Sequence, residues 1–153
     1  MDYFGHQGRP DLSDDEIARG FFTRIDAAFY RAAWFAQPPG EPLFAGLIDY
    51  RSLRGERVLE VGSGLGAISA TLARHGADVT ALDLTWTGAS STARRFALDG
   101  THGSPVQGEA ERLPLADGSF DFVWSWGSSC TRRIRRGPSP RCTECCARAV
   151  KCA

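Results

Sequence analysis

Glu60, Gly62, Gly64 and Gly66 occupy alternate positions in Arg57-Val58-Leu59-Glu60-Val61-Gly62-Ser63-Gly64-Leu65-Gly66. Glycines at that spacing let a backbone turn sharply and let a ligand approach without meeting a Cβ. Asp83 stands 21 residues beyond Gly62, at the end of Asp78-Val79-Thr80-Ala81-Leu82-Asp83. A carboxylate about 20 residues past such a loop is placed to accept hydrogen bonds from ribose hydroxyls. Together these residues can hold an adenosine-containing cofactor. The histidines add nothing to that chemistry: His6 and His75 have no partner that the sequence reveals, and His102 falls in a polar loop and is expected to be exposed.

Flanking residues supply the scaffold for these groups. Val58–Val61 is apolar apart from Glu60 and reads as a short buried strand. Ala67–Arg74 reads as a helix whose positive dipole end and free N–H groups point back at the loop, with Gly76 as its C-terminal cap. Asp78–Asp83 reads as a second strand. Ser90–Leu98 reads as a second helix, with Ala93, Phe96 and Ala97 facing inward and Arg94 and Arg95 solvated. A third strand ends near Gly108, Asp117-Gly118 signals a turn, and Phe120–Ser125 reads as a fourth strand. Strands alternating with helices predict an α/β fold, a Rossmann-like doubly wound parallel sheet with ligands at the carboxyl ends of strands one and two.

Ahead of this unit, Ser13-Asp14-Asp15-Glu16 has the form of a capping box. Ile17, Phe21, Ile25, Ala28, Phe29 and Ala32 follow at helical spacing, predicting a helix to about Ala36 that stops at Pro38-Pro39-Gly40. A second short helix fits Pro42–Tyr50. This segment either packs on the sheet or covers the substrate site with Phe21, Phe22, Phe29, Tyr30 and Trp34; spacing alone does not separate the two.

Gly62, Gly64 and Ala67 also satisfy the Gly-x-Gly-x-x-Gly/Ala pattern of dinucleotide enzymes. Glu60 and the additional Gly66 lean elsewhere: acid-x-Gly-x-Gly-x-Gly resembles motif I of class I methyltransferases, which bind S-adenosylmethionine. In that family the acid and the glycine backbone hold the methionine end, which here implies Glu60, Gly62, Gly64 and Gly66, with Ser63 between them. Gly108-Glu109-Ala110-Glu111-Arg112-Leu113-Pro114 is similar to the segment after strand three in the UbiE/type 11 group of small-molecule methyltransferases. By that resemblance Glu109 receives the adenine amino group and the Ala110 N–H meets a ring nitrogen. The family usually carries Asp where Glu109 stands. Ser119-Phe120-Asp121-x-Val123 resembles the same group, and Leu84, next to Asp83, belongs to the implied cofactor site.

The resemblance implies methyl transfer from S-adenosylmethionine to a small-molecule acceptor. The sulfonium is already activated, so positioning can supply much of the acceleration, and neither a catalytic acid or base nor a metal is nominated. Two alternatives are a non-catalytic remnant that only binds the cofactor and, more distantly, an NAD(P)-binding oxidoreductase.

Composition divides the chain. An apolar fraction of 42% with 24% charged residues excludes a disordered chain. No apolar run approaches the ~18 residues of a membrane span, and no leader-like segment opens the chain, so a cytoplasmic location is expected. The zero net charge hides a split: residues 1–127 hold eleven arginines against seventeen acids, whereas 128–153 hold seven basic residues, one acid and all five cysteines. We therefore divide the chain into an N-terminal helical segment (1–50), a cofactor-binding half with strands one to four of the family's usual seven (51–127) and a basic, Cys-rich tail (128–153).

The resemblance ends at the tail, and strand four is expected to be an open edge. Cys142-x-x-Cys145-Cys146 offers at most an incomplete zinc site. The basic residues lack the interleaved aromatics of a nucleic-acid surface, so no nucleic-acid partner is expected. Read one base out of frame, Cys145-Cys146 must encode Leu, and permissible codons turn Thr143–Val150 into Arg-Val-Leu-Arg-Pro-Gly-Gly, a segment family members carry. A frameshifted tail is the expectation. The sequence is silent on oligomeric state.

Overall fold

Val58, Leu59 and Val61 bury both faces of a strand, as the central strands of a parallel sheet do. They lie in β1 (Arg57–Val61), at the middle of a five-stranded sheet of order β3-β2-β1-β4-β5. The computed structural model describes residues 10–32, 40–110, 115, 118–126 and 150–151. Its other elements are α1 (Asp15–Ala32), α2 (Ala67–Arg74), β2 (Asp78–Asp83), α3 (Trp86–Asp99), β3 (Ser104–Gln107), β4 (Phe122–Ser125) and β5 (Val150–Lys151). The expected parallel sheet is present: β2 and β4 flank β1, and β3 follows β2. The expected open edge is not. Val150 and Lys151 run antiparallel to β4, opposite Val123 and Phe122. The rest of 128–153, with the five cysteines and the frameshift and zinc readings, lies outside the described residues.

Period-two alternation gives the sheet two faces. Val58, Val79, Phe122 and Trp124 face the main core with Ile68 and Leu72 of α2 and Phe96 of α3. Leu59, Val61 and Leu82 face the other way, against Val106, Ala110, Phe120 and Val123. At the amino-terminal end of the sheet, Arg57 and Asp121 join β1 to β4 by paired hydrogen bonds of 2.9 and 2.8 Å. Those bonds hold the Asp121 carboxyl down at about 2.

The helix ends follow local rules. α2 closes with Gly76 at φ 90°, its N–H on Ala73 O, while Ala77 N–H reaches Leu72 O, the paired bonds of a Schellman cap. His75 is not partnerless: Nδ1 lies 2.7 Å from Thr71 O, and its ring packs on Tyr50 with centroids 4.7 Å apart.

Several expectations about the helices are corrected. The cap of α1 is Asp14 rather than Ser13, because its carboxylate accepts the Ile17 N–H at 2.9 Å. The buried stripe of α1 is Ala18, Phe22 and Ile25, while Ile17 and Ala28 are exposed. Residues 42–50 are turns, not a helix: Phe44 takes φ 59°, outside the helical region, where it packs against both Trp124 and Trp126 at 5.4 and 4.7 Å. α3 starts at Trp86 instead of Ser90, and its inner face holds Ser91, Thr92 and Arg95 with Phe96 and Leu98, leaving Ala93 and Ala97 exposed. Arg94 and Arg95 are not a solvated face; both bind α1 or the residues before it. The expected continuation of α1 to Ala36 lies outside the described residues. No helix among the described residues is long and apolar enough to cross a membrane.

Candidate functional site

The glycine loop joins β1 to α2 and is pinned to the end of β2. Gly62 and Ser63 both donate their N–H to Leu82 O, at 2.8 and 3.0 Å. Gly64 N–H donates to Asp83 Oδ2 at 2.8 Å, and Gly66 N–H returns to Ser63 O. Gly62, Gly64 and Gly66 have φ of 80°, 54° and 77°, a region that penalises side chains. The last two have separate jobs. A Cβ on Gly64 would meet nothing within 4 Å, so the loop is open there. A Cβ on Gly66 would lie 2.7 Å from Thr92 Oγ1 and 3.0 Å from Thr92 Cα, so glycine allows α3 to approach. Gly66→Ala combines that clash with the left-handed backbone. The backbone cost of about 1–2 kcal/mol and the overpacking cost of about 1–3 kcal/mol together are expected to remove about 2–5 kcal/mol of stability, read as a shifted urea midpoint.

Asp83 closes β2 and organises the start of α3. Its Oδ1 accepts the Thr85 N–H at 2.9 Å and the Thr85 hydroxyl at 2.7 Å. Thr85 Oγ1 in turn caps α3 by accepting the Gly88 N–H at 3.0 Å. Gly88 lets the carboxylate sit on the helix start, since a Cβ there would fall 2.4 Å from Asp83 Cγ. Sequence reasoning did not single out Thr85 and Gly88. The available signal was Thr85 as an N-cap three residues before Gly88.

Glu60 lies behind the loop, 2% exposed, on the face shared with its β4 neighbour Trp124. The Ser69 hydroxyl of α2 donates to its Oε2. Burial raises the carboxyl to about 8. The Ser69 bonds and the Arg95 charge oppose that shift, and Asp83 adds to it.

Leu84 is 65% exposed beside Asp83, and Trp86, 71% exposed, begins α3. Glu109 is exposed just beyond β3, and Ala110 packs beneath it on Leu59, Val61 and Leu82. The nominated residues therefore gather at the carboxyl ends of β1, β2 and β3. The segment 111–114 lies outside the described residues. Among the described residues no cluster of His, Cys, Asp and Glu is placed to hold a metal ion. An open loop at Gly64, a carboxylate at the strand end and an apolar side chain beside it fit a nucleoside-bearing cofactor.

A family described as a methyltransferase domain matches residues 58–152, so the resemblance runs into the tail rather than ending, as expected, before residue 128. The chain belongs to the class I S-adenosylmethionine-dependent methyltransferases. It is 35% identical over 156 residues to a ubiquinone biosynthesis O-methyltransferase of Xanthomonas oryzae pv. oryzae, covering 91% of this chain and 62% of that one. It is 46% identical over 69 residues to a demethylmenaquinone methyltransferase of Beutenbergia cavernae, covering 45% and 27%. The chain thus spans less than two thirds of these relatives' lengths. Among solved structures, a Methanococcus maripaludis protein assigned as an S-adenosyl-L-methionine-dependent methyltransferase superposes with a TM-score of 0.56 at 20% identity, over 83% of this chain and 56% of the other. That likeness establishes the fold of this methyltransferase-family chain.

Proposed function

We propose that this chain binds S-adenosylmethionine at the carboxyl ends of β1, β2 and β3, and that its activity is methyl transfer to a small-molecule acceptor. The observation that carries the reading is the loop pinned to Leu82 and Asp83 with open space at Gly64. Glu60 and the backbone of Gly62, Ser63, Gly64 and Gly66 hold the methionine end. Asp83 holds the ribose, Leu84 lies against the base, and Glu109 with the Ala110 N–H reads the adenine edge.

A carboxylate offers about four acceptor positions, and protein donors take three on Asp83. One ribose hydroxyl fills the fourth, and a second displaces the Thr85 hydroxyl, which keeps its bond from Gly88. When bound, the cofactor supplies an activated methyl group. The protein's part is to orient it and exclude water. The proposed setting is cytoplasmic, and the acceptor is a small molecule, consistent with relatives whose names specify ubiquinone biosynthesis and demethylmenaquinone.

Calorimetric titration of the purified chain with S-adenosylhomocysteine, beside NADH, tests the reading. Micromolar binding of the first and none of the second is expected; the reverse would establish a dinucleotide site. For residues 128–153 we retain the shifted frame as a proposal, supported by the forced Leu at Cys145-Cys146. Sequencing the gene across codons 120–135 checks it, and a shifted frame that stops at once would end it.

A further inference from the structure

We propose that Arg95 is a positioning residue that couples docking of α1 to the shape of the glycine loop, so that cofactor binding and α1 docking reinforce each other. The coupling rests on the reading that this loop holds the cofactor. Arg95 lies on α3 with 4% of its surface exposed. Its Nε donates to the carbonyl of Leu65, inside the loop, at 2.6 Å. Its two terminal nitrogens grip both carboxylate oxygens of Asp26 on α1, at 2.9 and 2.6 Å. The guanidinium also sits 4.3 Å over the ring of Phe22, one helical turn before Asp26. One buried cation is thus shared by the loop and by α1.

A guanidinium buried this deeply must stay paired, because an unpaired buried charge is strongly destabilising. If α1 undocks, Arg95 loses its carboxylate and its aromatic face. It must then turn toward water and release Leu65 O, or stay buried with one bond. If the loop deforms, the fork on Asp26 loses its anchor. Apart from Arg94, α1 is otherwise held by a small apolar cluster of Leu12, Ala18, Phe22 and Leu98, by Arg19, which donates to Leu98 O at 2.8 Å, and by Phe29, the one α1 side chain packed against the main core. It is therefore loose enough for the link to matter. Neighbouring Arg94 supplies an internal control. It holds Leu12 O at 2.7 Å, Ser13 O at 3.0 Å and the Asp15 carboxylate, but makes no contact with the loop.

The test uses the full chain and the variants Asp26→Asn, Arg95→Lys and Arg94→Met, each well below its melting temperature. Hydrogen exchange at residues 62–67 without ligand is expected to quicken at least threefold in Asp26→Asn and Arg95→Lys and clearly less in Arg94→Met, which weakens the hold on α1 but leaves the link from Arg95 to Leu65 intact. S-adenosylhomocysteine is expected to slow exchange across residues 18–29 in the wild type. Its affinity should fall about 5- to 10-fold in Asp26→Asn, the lower range of site-to-site coupling. Arg95→Lys keeps the charge but loses the fork, so it tests geometry where Asp26→Asn tests charge. Wild-type loop exchange in both variants overturns the proposal, as does equal loss in Arg94→Met. Quickened loop exchange in a chain that does not bind S-adenosylhomocysteine leaves the linkage standing and removes the cofactor reading instead.

Discussion

Replacing Asp83 with alanine is expected to weaken S-adenosylhomocysteine binding about 100-fold, close to 2.7 kcal/mol. Hydrogen bonds to a charged group contribute about 1.5–3 kcal/mol each, and the proposed ribose contact uses this carboxylate. The substitution also frees Gly64 N–H and the Thr85 hydroxyl, which Asp83 now engages. Loop and helix start therefore loosen together. Asparagine is a poor rescue, because its amide would present donors toward donors. Calorimetry supplies the affinity, and a thermal melt of the same sample shows whether the domain is still folded. A folded Asp83→Ala chain binding within threefold of wild type would remove Asp83 from the site.

The second large effect is on pH. The Glu60 carboxyl stands at about 8, chiefly through burial, so at pH 7 it is mostly neutral in the ligand-free protein. A methionine-end ammonium beside it, as proposed, favours the ionised form. Affinity for S-adenosylhomocysteine should therefore rise on the order of 30-fold between pH 6 and 8, with a proton released on binding. Above pH 8 it should stop rising, because α-amino groups lose their own proton at about 7.7–8.0. Titrations in buffers of different ionisation enthalpy read the proton directly. Glu60→Gln should abolish the rise, and a flat wild-type profile would place the ammonium elsewhere.

The same shift sets a stability slope of definite sign. Below the ordinary carboxyl value of 4.5, Glu60 is neutral whether folded or unfolded. From there to about 8 the folded protein holds a proton that the unfolded chain has released, so this contribution is lost as pH rises. Glu60→Gln should flatten that decline in urea midpoints.

Much of the scaffold around the candidate site was readable because its information is local. β1, α2 and β2 came directly from a strand, a glycine loop and a helix in sequence, with α2 and β2 matching their expected limits. The start of α3 was hidden by Trp86-Thr87-Gly88, poor helix formers that the Thr85 cap and the Asp83 carboxylate hold in place. Turns replaced a helix at 42–50 because burial of Phe44 against two tryptophans outweighs local preference. Arg95 was misread for a different reason: its partner Asp26 lies 69 residues away, and periodicity cannot anticipate a buried ion pair at that separation.

The two hydrogen bonds that the Gly62 and Ser63 N–H groups donate to Leu82 O, with the one that Gly64 N–H donates to Asp83, have a thermodynamic consequence. These atoms reach their places when β2 adds to β1. The entropy of ordering the loop is lost on folding, and a ligand bound there as proposed would meet a preorganised surface. Affinity and fold stability are therefore not independent here. Any change that frays the carboxyl end of β2, however far it lies from the ligand itself, moves that ordering cost back onto the binding step.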